Sequence, residues 1–142
     1  MSHLDEEWIW DDVKISADSV VFRRVLGRPD FLVPDLEGGP GKPGIPALKW
    51  DSDGISTYRQ ELLEELNLSP RVLKTSPTDL VFAFRVGDIR SADAGVVDTP
   101  DEEDELKGQA HTSIRCSEEN PKKERRNSIR LHLIDSCWHI QC

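Results

Sequence analysis

Three side chains in this chain of 142 residues are of types that do chemistry and sit where order is expected: Arg23, Tyr58 and His111. Arg23 opens an arginine pair in Val20-Val21-Phe22-Arg23-Arg24-Val25, and its planar fork of donors suits carboxylate or phosphate. His111, in Ala110-His111-Thr112-Ser113, is the side chain that titrates nearest neutrality and so the natural general base. Tyr58 adds a phenol beside Ser56 and Thr57. A nucleophilic enzyme would need a Ser in a G-x-S-x-G elbow or a comparable device, and none is present. Ser56 and Thr57 read as helix caps. With no nucleophile or carboxylate completing a mechanism, the leading expectation is a non-catalytic protein-interaction module. The alternative is a small nucleotide-binding protein or enzyme with its site around Arg23, Tyr58 and His111.

Metal and phosphate motifs fail on spacing. Cys137, His139 and Cys142, with His132 before them, are zinc-type ligands, but they lack paired C-x-x-C knuckles. On a helix Cys137 and His139 would project about 200° apart. Asp51-Ser52-Asp53-Gly54 resembles the middle of a calcium loop, yet its first and last ligand positions would be Lys49 and Gln60, an ammonium and an amide. Gly41-Lys42 is followed by Pro43 where a phosphate loop needs Ser or Thr. No metal and no cofactor is expected.

Charge sets the partners. There are 27 acidic and 18 basic residues, a net charge of −9, which repels phosphate backbones and anionic membranes. Lys122, Lys123, Arg125, Arg126 and Arg130 form a basic cluster without interleaved aromatics, so nucleic acid is set aside and a protein partner expected. The acidic run at 98–105 is the expected counterweight to that cluster. No stretch is apolar enough to span a membrane, and the start, Met1 to Glu7, is acidic rather than signal-like. Three cysteines fit no disulfide framework, so a reducing, cytoplasmic setting is expected.

The elements that must position these residues follow from periodicity. Strands are expected at 19–26, 80–86, 96–97 and 110–116, where β-branched residues or period-two alternation dominate. A helix is expected at 56–67, with Tyr58, Leu62 and Leu66 on one face, and a second at 121–139, carrying Ile129, Leu133 and Cys137. Short helical turns are expected after Pro70 and after Gly87. Glu6 to Lys14 fits either period. The Pro/Gly-rich stretch 34–46 reads as a surface loop and the acidic stretch 98–108 as a mobile one. The sum is a single α+β domain, 1–142: a small mixed or antiparallel sheet with two main helices covering one face.

Two resemblances add expectations. Arg23-Arg24 followed by Gly54-Ile55-Ser56-Thr57-Tyr58 resembles the sites of ADP-ribosyltransferases, which implies a dinucleotide held by an early-strand arginine and a Ser-Thr-Ser-like strand. The catalytic glutamate of that family has no counterpart, and Ser56-Thr57-Tyr58 reads as helix. More broadly, Val20 to Val25, Asp53 to Arg59, Ala110 to Ile114 and a Trp-bearing end resemble small bacterial proteins of uncharacterised function. That likeness spans most of the chain and implies a bacterial accessory protein.

Overall fold

Near-continuous apolar runs in Val20–Val25 and Leu80–Arg85 put hydrophobic residues on both faces of these strands, so each side of the sheet they form must be covered. The computed structural model describes residues 7–142. The acidic start, Met1 to Glu6, lies outside the described residues. The strands are β1 (Val20–Val25), β2 (Leu32–Val33), β3 (Lys42–Pro43) and β4 (Ile55–Arg59), then β5 (Leu80–Arg85), β6 (Ala94–Asp98), β7 (His111–Cys116) and β8 (Trp138–Ile140). The helices are α1 (Gln60–Glu65), α2 (Val86–Ser91) and α3 (Lys123–Ser136). Six strands form one antiparallel sheet in the order β6-β7-β4-β1-β5-β8, and β2 pairs with β3 in a small second sheet. This is the α+β fold that the sequence implies.

The two faces hold different cores. Val21, Val25, Phe82, Phe84, Ile55 and Ile114 face α3, which contributes Ile129 and Leu133, and α2, which contributes Ile89. Phe22, Val81 and Ala83 face the other way, against Leu63 of α1 and Leu73 of the 3-10 turn Pro70–Leu73. The two main helices therefore lie on opposite faces and not on one. The reason is in β1 and β5 themselves: an uncovered face would leave Phe22 and Val81 in water.

The helix expected at 56–67 is strand first and helix second. Ile55 to Tyr58 pair with Ile114 to His111 of β7, and the buried hydroxyls of Thr57 and Thr112 meet at 2.6 Å. Only from Gln60 does the chain coil, with no side-chain cap at Arg59. Tyr58, Leu62 and Leu66 still reach the same cluster, because a strand residue and the helix after it rest on one face. Helical spacing here reports a shared destination. Likewise the helix expected at 121–139 stops at Ser136: Cys137 is extended, and Trp138 to Ile140 pair with Ala83 to Val81 along the free edge of β5. Pairing that edge satisfies backbone groups that a longer helix would have left open.

Four smaller features complete the scaffold. The strand expected at 96–97 is longer, Ala94–Asp98, and includes Gly95, where a Cβ would meet Asp11 at 2.3 Å. The stretch 34–46 is tied at its far end by Leu32–Pro43 and Val33–Lys42 pairing and by the 3-10 turn Ile45–Ala47. The acidic stretch 98–108 is hydrogen-bonded on itself, Asp101 N–H donating to Gly108 O and Gly108 N–H to Asp104 O, each at 2.9 Å. Residues Glu7 to Asp12 form no regular element; Asp12 N–H donates to Val96 O at 2.9 Å beside the β6 edge.

Gly54 delivers the chain into β4. Its φ is +113°, and a Cβ would come within 2.2 Å of the Ile114 carbonyl oxygen. Gly54→Ala should therefore destabilise the protein by about 1–3 kcal/mol or more, through strain and a displaced β4–β7 ladder. Urea unfolding of the variant beside the parent measures it.

Candidate functional site

The site begins where β1 and β4 part. Their ladder pairs Val21 with Arg59 and Phe22 with Tyr58, and goes no further. Past that point the Arg23 side chain fills the split. Its Nε donates to Ala47 O at 2.8 Å and its Nη1 to Ser56 O at 2.8 Å. Its pKa is lowered to about 10, chiefly by burial and also by the charge of Arg24, against an upward push from Asp51. The guanidinium remains a cation at neutral pH, bound to neutral carbonyls, with no ion-pair carboxylate among the described residues.

Beside it lies a hollow of about 200 Å³ walled by Arg23, Arg24, Ser56, Tyr58, Thr75 and Lys107, floored by Leu73. Arg24 is aimed by the turn that ends at the buried Asp79: its Nη1 donates to Thr75 Oγ1 at 2.7 Å and lies 3.5 Å from Asp79 Oδ2. Burial alone would raise the Asp79 pKa. Donation from Thr75 N–H and Oγ1 and the charge of Arg24 outweigh it, so the carboxyl titrates below its usual range. Lys107 arrives from the acidic stretch, with Nζ 2.7 Å from Asp104 Oδ2 and 5.8 Å from the Tyr58 ring centroid. That bond to Asp104 raises its pKa. Burial raises the pKa of Tyr58, while Lys107 draws it down.

Across Ser56 from this hollow is a second, of about 300 Å³, lined by Asp51, Asp53, Ser56, Thr99, Asp101 and His111 among others. Ser56 Oγ and His111 Nε2 are 2.6 Å apart. His111 Nδ1 lies 2.8 Å from Thr99 O and 3.0 Å from Thr99 Oγ1. A carbonyl oxygen only accepts, so the neutral ring carries its proton on Nδ1 and presents a lone pair at Nε2 to the Ser56 hydroxyl. The ring also stands edge-on to Tyr58, centroids 5.2 Å apart at 86°.

Of the three residues singled out in the sequence, Arg23 and Tyr58 thus share one hollow, and His111 lines its neighbour in contact with Tyr58. Ser56 lines both. Thr99 and Lys107 lie outside every site that the sequence suggests, and Arg24 and Ser56 enter only through the resemblance to ADP-ribosyltransferase sites. Ser56 looked like a cap and Thr99 and Lys107 lay in a stretch whose like charges suggested solvent. The signal that finds Ser56 is its parity with Tyr58 opposite Ser113 and His111, once β4 and β7 are known to pair. The strand placement of Ser56-Thr57-Tyr58 also corrects their reading as helix.

Elsewhere the chemistry-bearing groups are absorbed into structure. Cys137 Sγ lies 3.4 Å from Ile134 O, with its pKa pushed up to about 11 by burial, and His139 stands against the Phe82 ring. Among the described residues no three His, Cys, Asp or Glu side chains are grouped to hold a metal ion. The basic cluster is not met by the acidic stretch. Arg125 pairs with Glu118, while Arg126 and Arg130 donate to the carbonyls of Pro121 and Leu48. No helix among the described residues is long and apolar enough to cross a membrane. Compared with known proteins, the chain matches no family model, no curated protein and no solved structure.

The aiming of Arg24 yields a pH signature. Asp79 is 2% exposed, and its folded pKa lies below the unfolded value. Its ionised form therefore stabilises the fold fully above about pH 4, and that contribution fades as pH falls through the depressed folded value. Asp79→Asn should cost about 1–3 kcal/mol at neutral pH. The gap from the parent should close as pH drops below about 4, read by urea unfolding across pH.

Proposed function

We propose that the protein binds a small anion, a molecule bearing a phosphate or carboxylate, in the hollow walled by Arg23, Arg24, Tyr58 and Lys107. One observation carries this reading: three cations converge on one small cavity in a chain whose net charge is −9. Arg24 and Lys107 each have a carboxylate behind them, which fixes their direction without occupying the cavity. Arg23 has only carbonyls, so its charge is left for a ligand. A cavity of about 200 Å³ admits a phosphate or a short carboxylic acid whole. Of a nucleotide it takes the phosphate end. Among the readings drawn from the sequence, this geometry favours the ligand-binding one centred on Arg23 and Tyr58.

A second reading, a protein-interaction module, is favoured by a different surface. Leu36, Val33 and Trp138 are exposed beside a groove of about 560 Å³ whose base includes Phe82 and Cys137. Exposed apolar side chains grouped at a groove are what a partner protein covers. It ranks second because the charges lining that groove are of both signs, Asp35 and Glu37 beside Lys42, and so favour no one sign of partner. The setting we propose for either role is a reducing cytoplasm, which three unpaired cysteines support. A bacterial source rests on the sequence resemblance alone.

Thermal unfolding tests the anion site. Phosphate, pyrophosphate or succinate at about ten times its Kd should stabilise the protein by about 1.4 kcal/mol, a rise in Tm of roughly 4–6 °C. Arg24→Ala should remove that rise. No rise with any millimolar anion, or an equal rise in Arg24→Ala, would refute the reading.

A further inference from the structure

We infer that Ser56 is a nucleophile activated by His111, and that the site hydrolyses esters of small acids that carry a second, free negative charge. The charge requirement rests on the anion-binding reading above; the nucleophile does not.

Geometry supplies the activation. A serine hydroxyl is a weak nucleophile until a base within hydrogen-bond reach takes its proton, and that base must be held in the correct tautomer by a third group. Here the base is His111 Nε2, 2.6 Å from Ser56 Oγ, and the orienting group is the Thr99 carbonyl, 2.8 Å from Nδ1. Tyr58 bounds the ring on one side. Ser56 is neither sealed in the core nor on a bare surface: it forms the wall between two hollows. A substrate can therefore cross it with its charged acid end toward Arg23, Arg24 and Lys107. The departing alcohol then lies toward Asp51, Asp53 and Asp101, a side that favours neutral or cationic groups.

The reaction balances with water as the only co-reactant. Ser56 Oγ bonds to the ester carbonyl carbon as its proton passes to His111 Nε2. The bond from carbon to the alcohol oxygen breaks, and that oxygen takes the proton from Nε2. Water then attacks the acyl-serine carbon, its proton moves to Nε2, the bond from carbon to Oγ breaks, and Oγ recovers the proton. One ester and one water give one acid and one alcohol. Negative charge on the carbonyl oxygen during both attacks falls in the field of Arg23, whose Nη1 already reaches the Ser56 backbone.

A fluorophosphonate probe followed by peptide mass spectrometry tests the nucleophile on the full chain. The expected result is a single adduct on Ser56. It should be absent in Ser56→Ala and slowed at least about a hundredfold in His111→Ala, with His111→Asn as the alternative should the alanine variant not fold. The paired measurement compares 4-nitrophenyl hydrogen succinate with 4-nitrophenyl acetate on the parent protein. The charged ester should be cleaved at least about tenfold faster. Anion-dependent Tm shifts with no adduct on Ser56, or an adduct indifferent to His111→Ala, overturn the nucleophile and leave anion binding standing. An adduct on Ser56 with no preference for the charged ester overturns the charge requirement, and the anion-dependent Tm shifts then decide anion binding separately.

Discussion

The structure turns on one guanidinium set between two strands. Where β1 and β4 separate after Phe22 and Tyr58, two carbonyls, of Ala47 and Ser56, would face a gap without donors. Arg23 closes it. A hydrogen bond to a charged group contributes about 1.5–3 kcal/mol, and an orphaned buried carbonyl costs about 1–3 kcal/mol. The same side chain thus holds the turn Ile45–Ala47 against the sheet, fixes Ser56 and brings positive charge to the rim of a hollow. A lysine, with a compact head and a flexible stem, could not hold both carbonyls in this fixed geometry.

Around that point three acids act as supports. Asp79, buried in its turn, aims Arg24, and Asp104 grips Lys107 with its side chain while accepting from backbone N–H groups of Leu106 and Lys107. Asp51 caps the turn that leads to Gly54 and β4. Each of these three carboxylates organises a loop, and the two cations that Asp79 and Asp104 aim are gathered with Arg23 at one hollow beside Ser56. An acidic chain can in this way present a locally positive cavity, because short-range pairing fixes which groups meet while net charge governs only the distant field.

The scaffold that keeps these groups in register is a sheet apolar on both faces. Phe22 and Val81 demand cover from α1 and the turn at Pro70–Leu73; Phe82 and Phe84 demand it from α3 and α2. Two-sided burial holds β1, β4 and β7 at one height, and so holds Ser56, Tyr58 and His111 on one face within hydrogen-bonding and ring-contact distance. β8 completes the layer by occupying the outer edge of β5.

Local pattern alone was enough to identify four of the sheet's strands and the α+β class, and it singled out the arginine, tyrosine and histidine that line the two neighbouring hollows. β-branched runs and alternation are properties of neighbours in sequence, and they express themselves wherever the chain lies. Tertiary structure decided the remainder. Ser56-Thr57-Tyr58 became strand because β7 offered a ladder and Thr112 a hydroxyl for Thr57, and Trp138 to Ile140 became strand because β5 had an unpaired edge. Lys107 and Thr99 entered the site because the acidic stretch folds on its own carboxylates. A backbone hydrogen bond to a distant strand outweighs a local preference worth a fraction of a kcal/mol per residue, and the identity of that distant strand is not written in the neighbours.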